Sequence, residues 1–216
     1  MMLMESVQLT ILNGFDFSGM KTLIIDNYDS FTYNLFQMIA EINEEKPRVV
    51  YNDCSWDVLS ALEFANIVIS PGPGSPENDR DFGINKKVLL ETNVPVLGVC
   101  LGHIGLGHVF GGKIRPANCV MHGRLSQIKH ISSPLFHHVP QDFSAVRYHS
   151  LVLDENLPEC FVKTAWTEDG QIMGIMHKIK PFYGIQFHPE SVLSEFGTRI
   201  LRNFREITEK FYMESP

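Results

Sequence analysis

Pro95-Val96-Leu97-Gly98-Val99-Cys100-Leu101-Gly102-His103 is the stretch that decides the fold. An apolar run that reads as a buried strand ends at Gly98, one cysteine follows, and a glycine-rich segment runs from Gly102 to Gly112. Within that segment Leu101, Leu106, Val109 and Phe110 fall at helical spacing. The layout is a strand, a sharp turn and a helix, with a nucleophilic side chain at the turn. Gly98-x-Cys100-x-Gly102 is the thiol counterpart of the Gly-x-Ser-x-Gly elbow, whose glycines permit a strained turn that exposes the nucleophile. A cysteine at a helix N-terminus also meets the positive end of the helix dipole, which favours its thiolate. A lone cysteine is more often a buried structural thiol. The bracketing glycines and the segments on either side favour the reactive reading.

Toward the N-terminus the same alternation of elements repeats. Lys21-Thr22-Leu23-Ile24-Ile25-Asp26 reads as a short apolar strand ending on a carboxylate. Asn27 to Ser30 is a turn in which Asp29 or Ser30 is placed to cap a helix, and Phe31, Leu35, Met38, Ile39 and Ile42 mark that helix's apolar face. Arg48–Tyr51 is a second strand, Trp56–Leu62 a short helix and Asn66–Ser70 a third strand. Strands that are nearly all apolar and alternate with helices predict an α/β fold: an open, mostly parallel twisted sheet with helices on both faces. Such sheets bind ligands beyond the carboxyl ends of their strands. The loops after Asp26, Ser70 and Val99 are therefore the ones to watch. The second of these, Pro71-Gly72-Pro73-Gly74-Ser75-Pro76, has rigid backbone with N–H groups at Gly72 and Gly74. Such groups suit an oxyanion or a carboxylate.

Beyond Gly112 the pattern shifts to short alternating segments at Leu125–Ile128, Val146–His149, Phe161–Ala165 and Ile172–Met176. They predict a small antiparallel extension within the same domain. Phe182–Phe187 is one more buried strand, followed at once by His188-Pro189-Glu190-Ser191. A histidine and a carboxylate two residues apart, just past a strand end, can face one cleft. His188 is the type to take a proton from Cys100, and Glu190 the type to orient the imidazole. Ser194 to Phe211 closes the chain as an amphipathic helix. Residues 1–20, with the weak alternation Val7–Leu12, read as an extension, residues 21–212 as one domain, and 213–216 as a tail.

The 216 residues suffice for one good core. A formal net charge of −7 without a basic stripe argues against nucleic acid or an anionic membrane as partner. No apolar run approaches the ~20 residues of a membrane helix. Met1 to Gly14 lacks a basic n-region and a small-residue cleavage site, so a cytoplasmic chain is expected. Cys54, Cys100, Cys119 and Cys160 then read as free thiols. No metal-ligand spacing appears among the nine histidines, and no cofactor is expected.

Ser70–Pro76, Gly98–His103 and Gln186–Ser191 resemble, in order and spacing from about Lys21 to Phe211, the class I (triad) glutamine amidotransferases. The resemblance implies that family's fold and no metal or cofactor. It implies Cys100 as a nucleophile that forms a γ-glutamyl thioester from L-glutamine, with His188 as base and Glu190 as its partner. It also implies an oxyanion hole from the N–H groups of Gly72 and Leu101, and a glutamine site lined by Gly74, Ser150 and Leu151 with Tyr148 and His149 alongside. Asp26–Asn34 and Met121-His122-Gly123-Arg124 look like the branch that feeds chorismate-using synthases. Gly105–Gly112 and Gly174–Gly184 look most like the amidotransferase part of aminodeoxychorismate synthase on the p-aminobenzoate (folate) route. Component II of anthranilate synthase is similar enough to stand as the alternative.

The implied partner is a chorismate-binding synthase, either on a separate chain or as a fused domain. A plastid location is expected if the chain is an excised domain. One position departs from the pattern: the family usually reads Cys-Leu-Gly-His-Gln, and this chain has Ile104. Isoleucine offers the substrate no hydrogen bond, so weakened glutamine affinity is expected. A glutamine-impaired scaffold and a free-standing thiol hydrolase are the competing readings.

Overall fold

In the computed structural model, which describes residues 19–214, the short apolar runs become strands because each face of the sheet has a layer to receive their side chains. The elements in chain order are β1 (Thr22–Asp26), α1 (Thr32–Asn43), β2 (Arg48–Tyr51), α2 (Trp56–Ser60), β3 (Asn66–Ile69), α3 (Asp79–Phe82), α4 (Asn85–Glu91), β4 (Val96–Val99) and α5 (Leu101–Val109). There follow β5 (Ile114–Pro116), β6 (Arg124–His130), a 3₁₀ turn (Pro134–Phe136), β7 (Phe143–Arg147), β8 (Leu151–Leu153), β9 (Phe161–Trp166), β10 (Ile172–His177), β11 (Phe182–Ile185) and α6 (Gly197–Glu214).

Nine strands form one sheet in the order β2-β1-β3-β4-β11-β10-β9-β6-β7. The first five are parallel neighbours, and from β10 onward the pairing is antiparallel. The expected antiparallel strands thus continue the main sheet, and only β5 and β8 stand apart as a small antiparallel pair. Period-two alternation sorts the core. Ile24, Val68, Leu97 and Ile185 enter one cluster with Leu35 and Ile39 of α1 and Ile200 and Phe204 of α6. Leu23, Ile25, Ile67 and Val96 enter the other with Leu89 of α4 and Leu101 and Leu106 of α5. Each fully buried aliphatic side chain is worth about 1.5–3 kcal/mol relative to exposure, so a register slip would cost both layers at once.

Several local readings are corrected. Met20, assigned to the extension, is buried: its backbone N–H donates to the Asn43 carbonyl and its own carbonyl accepts from the Asn43 amide. The Val7–Leu12 segment lies outside the described residues. The first helix begins at Thr32 without a side-chain cap at Phe31, while the Asp29 carboxylate accepts from the Phe31 N–H one turn earlier and Ser30 is exposed. The last helix starts at Gly197 rather than Ser194. Ser194 is held out of it, because its hydroxyl donates to the His188 carbonyl and accepts from the Val146 N–H, while the Glu195 N–H donates to the Ser144 carbonyl. That helix continues through residues 213 and 214, assigned to the tail.

Asn203 on α6 is 1% exposed, and its amide donates to the Leu135 and His137 carbonyls at 2.8 Å each. Arg199 also serves the His137 carbonyl. In Asn203→Leu the Leu135 carbonyl loses this donor, at an expected cost of about 1–3 kcal/mol. The urea midpoint should fall with little change in slope. An unchanged midpoint would mean that water takes the amide's place.

Candidate active site

The carboxyl ends of β1, β3, β4 and β11 lie side by side, and the loops leaving them meet. At the end of β4, Cys100 adopts φ 51° and ψ −98°, a conformation that costs a non-glycine residue energy and is found where function requires it. Its N–H donates to the Ile185 carbonyl, and its carbonyl accepts from the Ile104 N–H to open α5. The flanking glycines are a steric necessity: a Cβ on Gly98 would lie 2.4 Å from the Gly102 carbonyl oxygen, and one on Gly102 would lie 2.5 Å from the Ile69 oxygen.

β11 is the parallel neighbour of β4, with Val99 opposite Ile185. Gln186 therefore lies beside Cys100 and His188 two residues beyond, where its N–H donates to the Val146 carbonyl of β7. His188 Nδ1 stands 2.6 Å from Glu190 Oε1, with both side chains buried. The other ring nitrogen, Nε2, is buried and has no hydrogen-bond partner of normal geometry. Burial pulls the His188 pKa down, but the Cys100 sulfur beside it and the hydrogen-bonded Glu190 carboxylate more than offset this and push it up to about 10. A protonated imidazole beside a cysteine sulfur can hold a thiolate, surrender its proton to a leaving group and take one back from water.

Aromatic rings wall the site. Tyr148 packs edge-on to His188 at 5.1 Å between centroids, and Phe31 packs against both. His122 packs edge-on to Tyr148 at 5.7 Å between centroids. Of the two stretches singled out as branch-like, Asp26–Asn34 thus meets the imidazole directly through Phe31, and Met121–Arg124 reaches it through Tyr148. The loop after β1 is fixed by amides: the Asn27 backbone N–H and side-chain Nδ2 donate to Ser70, while its side-chain Oδ1 accepts from the Asn52 and Asn85 amides.

Of the residues expected at the site, Cys100, His188, Glu190 and Tyr148 come together, and the Tyr148 carbonyl lies 4.0 Å from Cys100 Sγ. Gly72 is pressed between Asn27 and Leu101, so close that a Cβ there would lie 2.9 Å from Leu101 Cδ2. Ser150 is exposed and Leu151 half-buried, continuing the segment whose Tyr148 carbonyl reaches the sulfur. Gly74 packs against the Asp81 carboxylate, which accepts from the Ser75 N–H. Ile104 is 3% exposed and belongs to the apolar cluster with Leu101, Ile69 and Phe82. Gln186, whose amide Nε2 lies 3.7 Å from Cys100 Sγ, was not expected to have a role. Its signal in the sequence was a primary amide ending an otherwise apolar strand. Among the described residues no group of three or more His, Cys, Asp or Glu side chains could hold a metal, and no helix is long and apolar enough to cross a membrane.

The class I glutamine amidotransferase family model matches residues 23–207. The chain belongs to that family. An aminodeoxychorismate synthase from Streptomyces pristinaespiralis is 48% identical over 190 residues, covering 87% of this chain and 26% of its own length. The amidotransferase thus spans about a quarter of that relative. Anthranilate synthase component 2 from Cyanophora paradoxa is 50% identical over 187 residues, covering 84% of this chain and 96% of its own. Among solved structures, a Thermoplasma acidophilum protein ascribed to GMP synthase superposes with a TM-score of 0.81 at 26% identity, covering 89% of this chain and 96% of its own.

Two further histidines of the amidotransferase are buried without hydrogen bonds, His103 and His149. Burial holds the first at about 3, while burial followed by the Arg147 and His188 charges holds the second at about 4. Both lie below the ordinary 6.5, so as pH falls the unfolded chain takes up these protons first. Their neutral burial is without penalty above pH 6.5 and costs stability progressively below it. Each should remove about 1.4 kcal/mol per pH unit until its folded value is reached. Urea midpoints at pH 7 and pH 5 should differ markedly in that direction. Equal midpoints would mean that both rings charge freely in the folded state.

Proposed function

We propose that this chain is a glutaminase that releases ammonia from L-glutamine for a chorismate-binding synthase, most closely the one that makes 4-amino-4-deoxychorismate. What carries the reading is the strained Cys100 elbow set in register beside the His188–Glu190 pair. The Cys100 thiolate attacks the side-chain amide carbon of glutamine. The resulting oxyanion accepts from the N–H groups of Gly72 and Leu101. His188 gives its proton to the departing nitrogen, ammonia leaves, and a γ-glutamyl thioester remains. Water, deprotonated by His188, then adds to the thioester carbon, and collapse expels the Cys100 thiolate and glutamate. Glu190 keeps Nδ1 protonated and the ring aligned throughout. Tyr148, His149, Ser150, Leu151 and Gly74 border the amino-acid pocket.

Amination of chorismate to anthranilate is the second reading. Its support is the Cyanophora component 2, which this chain matches along nearly that protein's whole length. Mixing the chain with each kind of synthase in turn and identifying the aminated product separates the two. A glutamine-impaired scaffold is the outcome if neither mixture releases glutamate.

Cys100→Ser should abolish glutamine-dependent product while leaving synthesis from ammonium salts intact, since only the ammonia source is lost. Glutaminase activity near the wild-type level in that variant would refute the nucleophile. Ile104→Gln tests the substrate side. Restoring a polar side chain should lower KM for glutamine about 5-fold or more with kcat less affected, as expected for a hydrogen bond worth about 1 kcal/mol or more. An unchanged or higher KM would mean that position 104 serves the apolar cluster in which Ile104 is buried, and not the substrate.

A further inference from the structure

We propose that the carboxamide of Gln186 holds the Cys100 sulfur in its thiolate form. The proposal rests on the reading of Cys100 as nucleophile and adds a group to it. Gln186 is fully buried, one residue past β11, with its own N–H given to the Met173 carbonyl. The register of β11 against β4 sets it next to Cys100. Among the described residues its amide makes one hydrogen bond, from Nε2 to Cys100 Sγ at 3.7 Å, and its Oε1 is buried without a partner.

The other buried amides behave differently. Asn203 donates to two backbone carbonyls, Asn43 to the Met20 carbonyl and the Thr22 hydroxyl, and Asn85 to Asn27 and the Phe82 carbonyl. Those side chains tie segments together. Gln186 ties nothing except the sulfur. An unpaired buried oxygen is a cost that Gln186 shares with Asn66, Asn85 and Asn203, but their donors hold segments in place, whereas a leucine or methionine at 186 would fill the same space without that cost.

The surroundings of the sulfur explain the orientation. On one side the Tyr148 carbonyl can only accept, so it serves the thiol S–H and opposes a thiolate. Once His188 has the proton, the sulfur needs donors. Beside the protonated His188, the Gln186 N–H is a second side-chain donor aimed at it, and a hydrogen bond made to the charged form favours that form. With the amide reversed, Oε1 would duplicate the role that Tyr148 already fills. The interaction weakens when the sulfur is acylated and returns when the thiolate leaves. Gln186 therefore favours the species at the start and end of the cycle.

The test is the pH dependence of iodoacetamide alkylation of Cys100 in the full chain, read by mass spectrometry of its peptide, with exposed Cys119 as reference in the same sample. In Gln186→Leu the midpoint of the Cys100 curve should move up by about one pH unit. At pH 6 that makes alkylation about tenfold slower, with Cys119 unchanged. Gln186→Glu, which keeps the shape and sets a carboxylate against the sulfur, should move it at least as far. If Gln186→Leu does not fold, the near-isosteric variant carries the test alone. Coincident Cys100 curves for a folded variant and wild type would overturn the proposal. The measurement uses no glutamine, so it fails independently of the nucleophile reading, which falls only if Cys100→Ser keeps glutaminase activity.

Discussion

The parallel pairing of β4 with β11 is the constraint on which the site depends. Val99 faces Ile185, and the ladder runs one bond further, from the Cys100 N–H to the Ile185 carbonyl. That extra bond places the cysteine against residues 86 positions away in the chain. A slip of one residue would turn Gln186 to the opposite face and carry His188 out of reach. β11 is in turn held on its other edge by β10, and the loop after it by the backbone bridge between Val146 and His188. The antiparallel half of the sheet is therefore not an appendage. It fixes the strand that delivers the histidine.

Around that pair the protein separates charge from polarity. His188 is raised by its contacts with Cys100 and Glu190, whereas His103 and His149 are held neutral first of all by burial. An imidazolium at His149 would oppose the charge on His188, as the lowering of its pKa by His188 shows. Keeping those rings neutral leaves the Glu190–His188–Cys100 line as the place where a proton moves at moderate pH. The cost is the burial of ring nitrogens without partners, which a fold optimised only for stability would avoid.

What could be read in the sequence was what periodicity and motif chemistry carry. The strands β1, β3, β4 and β11 are short apolar runs, α1 and α6 have clear apolar faces, and the elbow and the His188–Glu190 pair announce themselves by residue type. α3 and α4 escaped because Asp79-Arg80-Asp81-Phe82 has no stripe, and its one local sign is the Asn78 side chain accepting from the Arg80 N–H. β8 escaped because three residues paired with a strand ending in Pro116 are too few to show alternation. The Asn27–Asn52–Asn85 cluster and the Gln186 contact were invisible for a deeper reason. A side-chain amide has no period, and its partners are set by the register of distant strands.

The orientation of His188 shows how the two kinds of information combine. A single hydrogen bond from Nδ1 to Glu190 fixes the direction of one ring nitrogen but leaves the ring free to swing about that bond. The swing is limited by sterics. Tyr148 meets the imidazole at 80° and Phe31 meets it at 73°, so the plane that the carboxylate leaves open is closed by two rings. Phe31 comes from the loop after β1, and Tyr148 is in turn packed against His122 from the segment before β6. The dyad that looks complete as His188-Pro189-Glu190 in sequence is therefore incomplete as geometry. Its aim at Cys100 depends on rings that come from three separate parts of the chain.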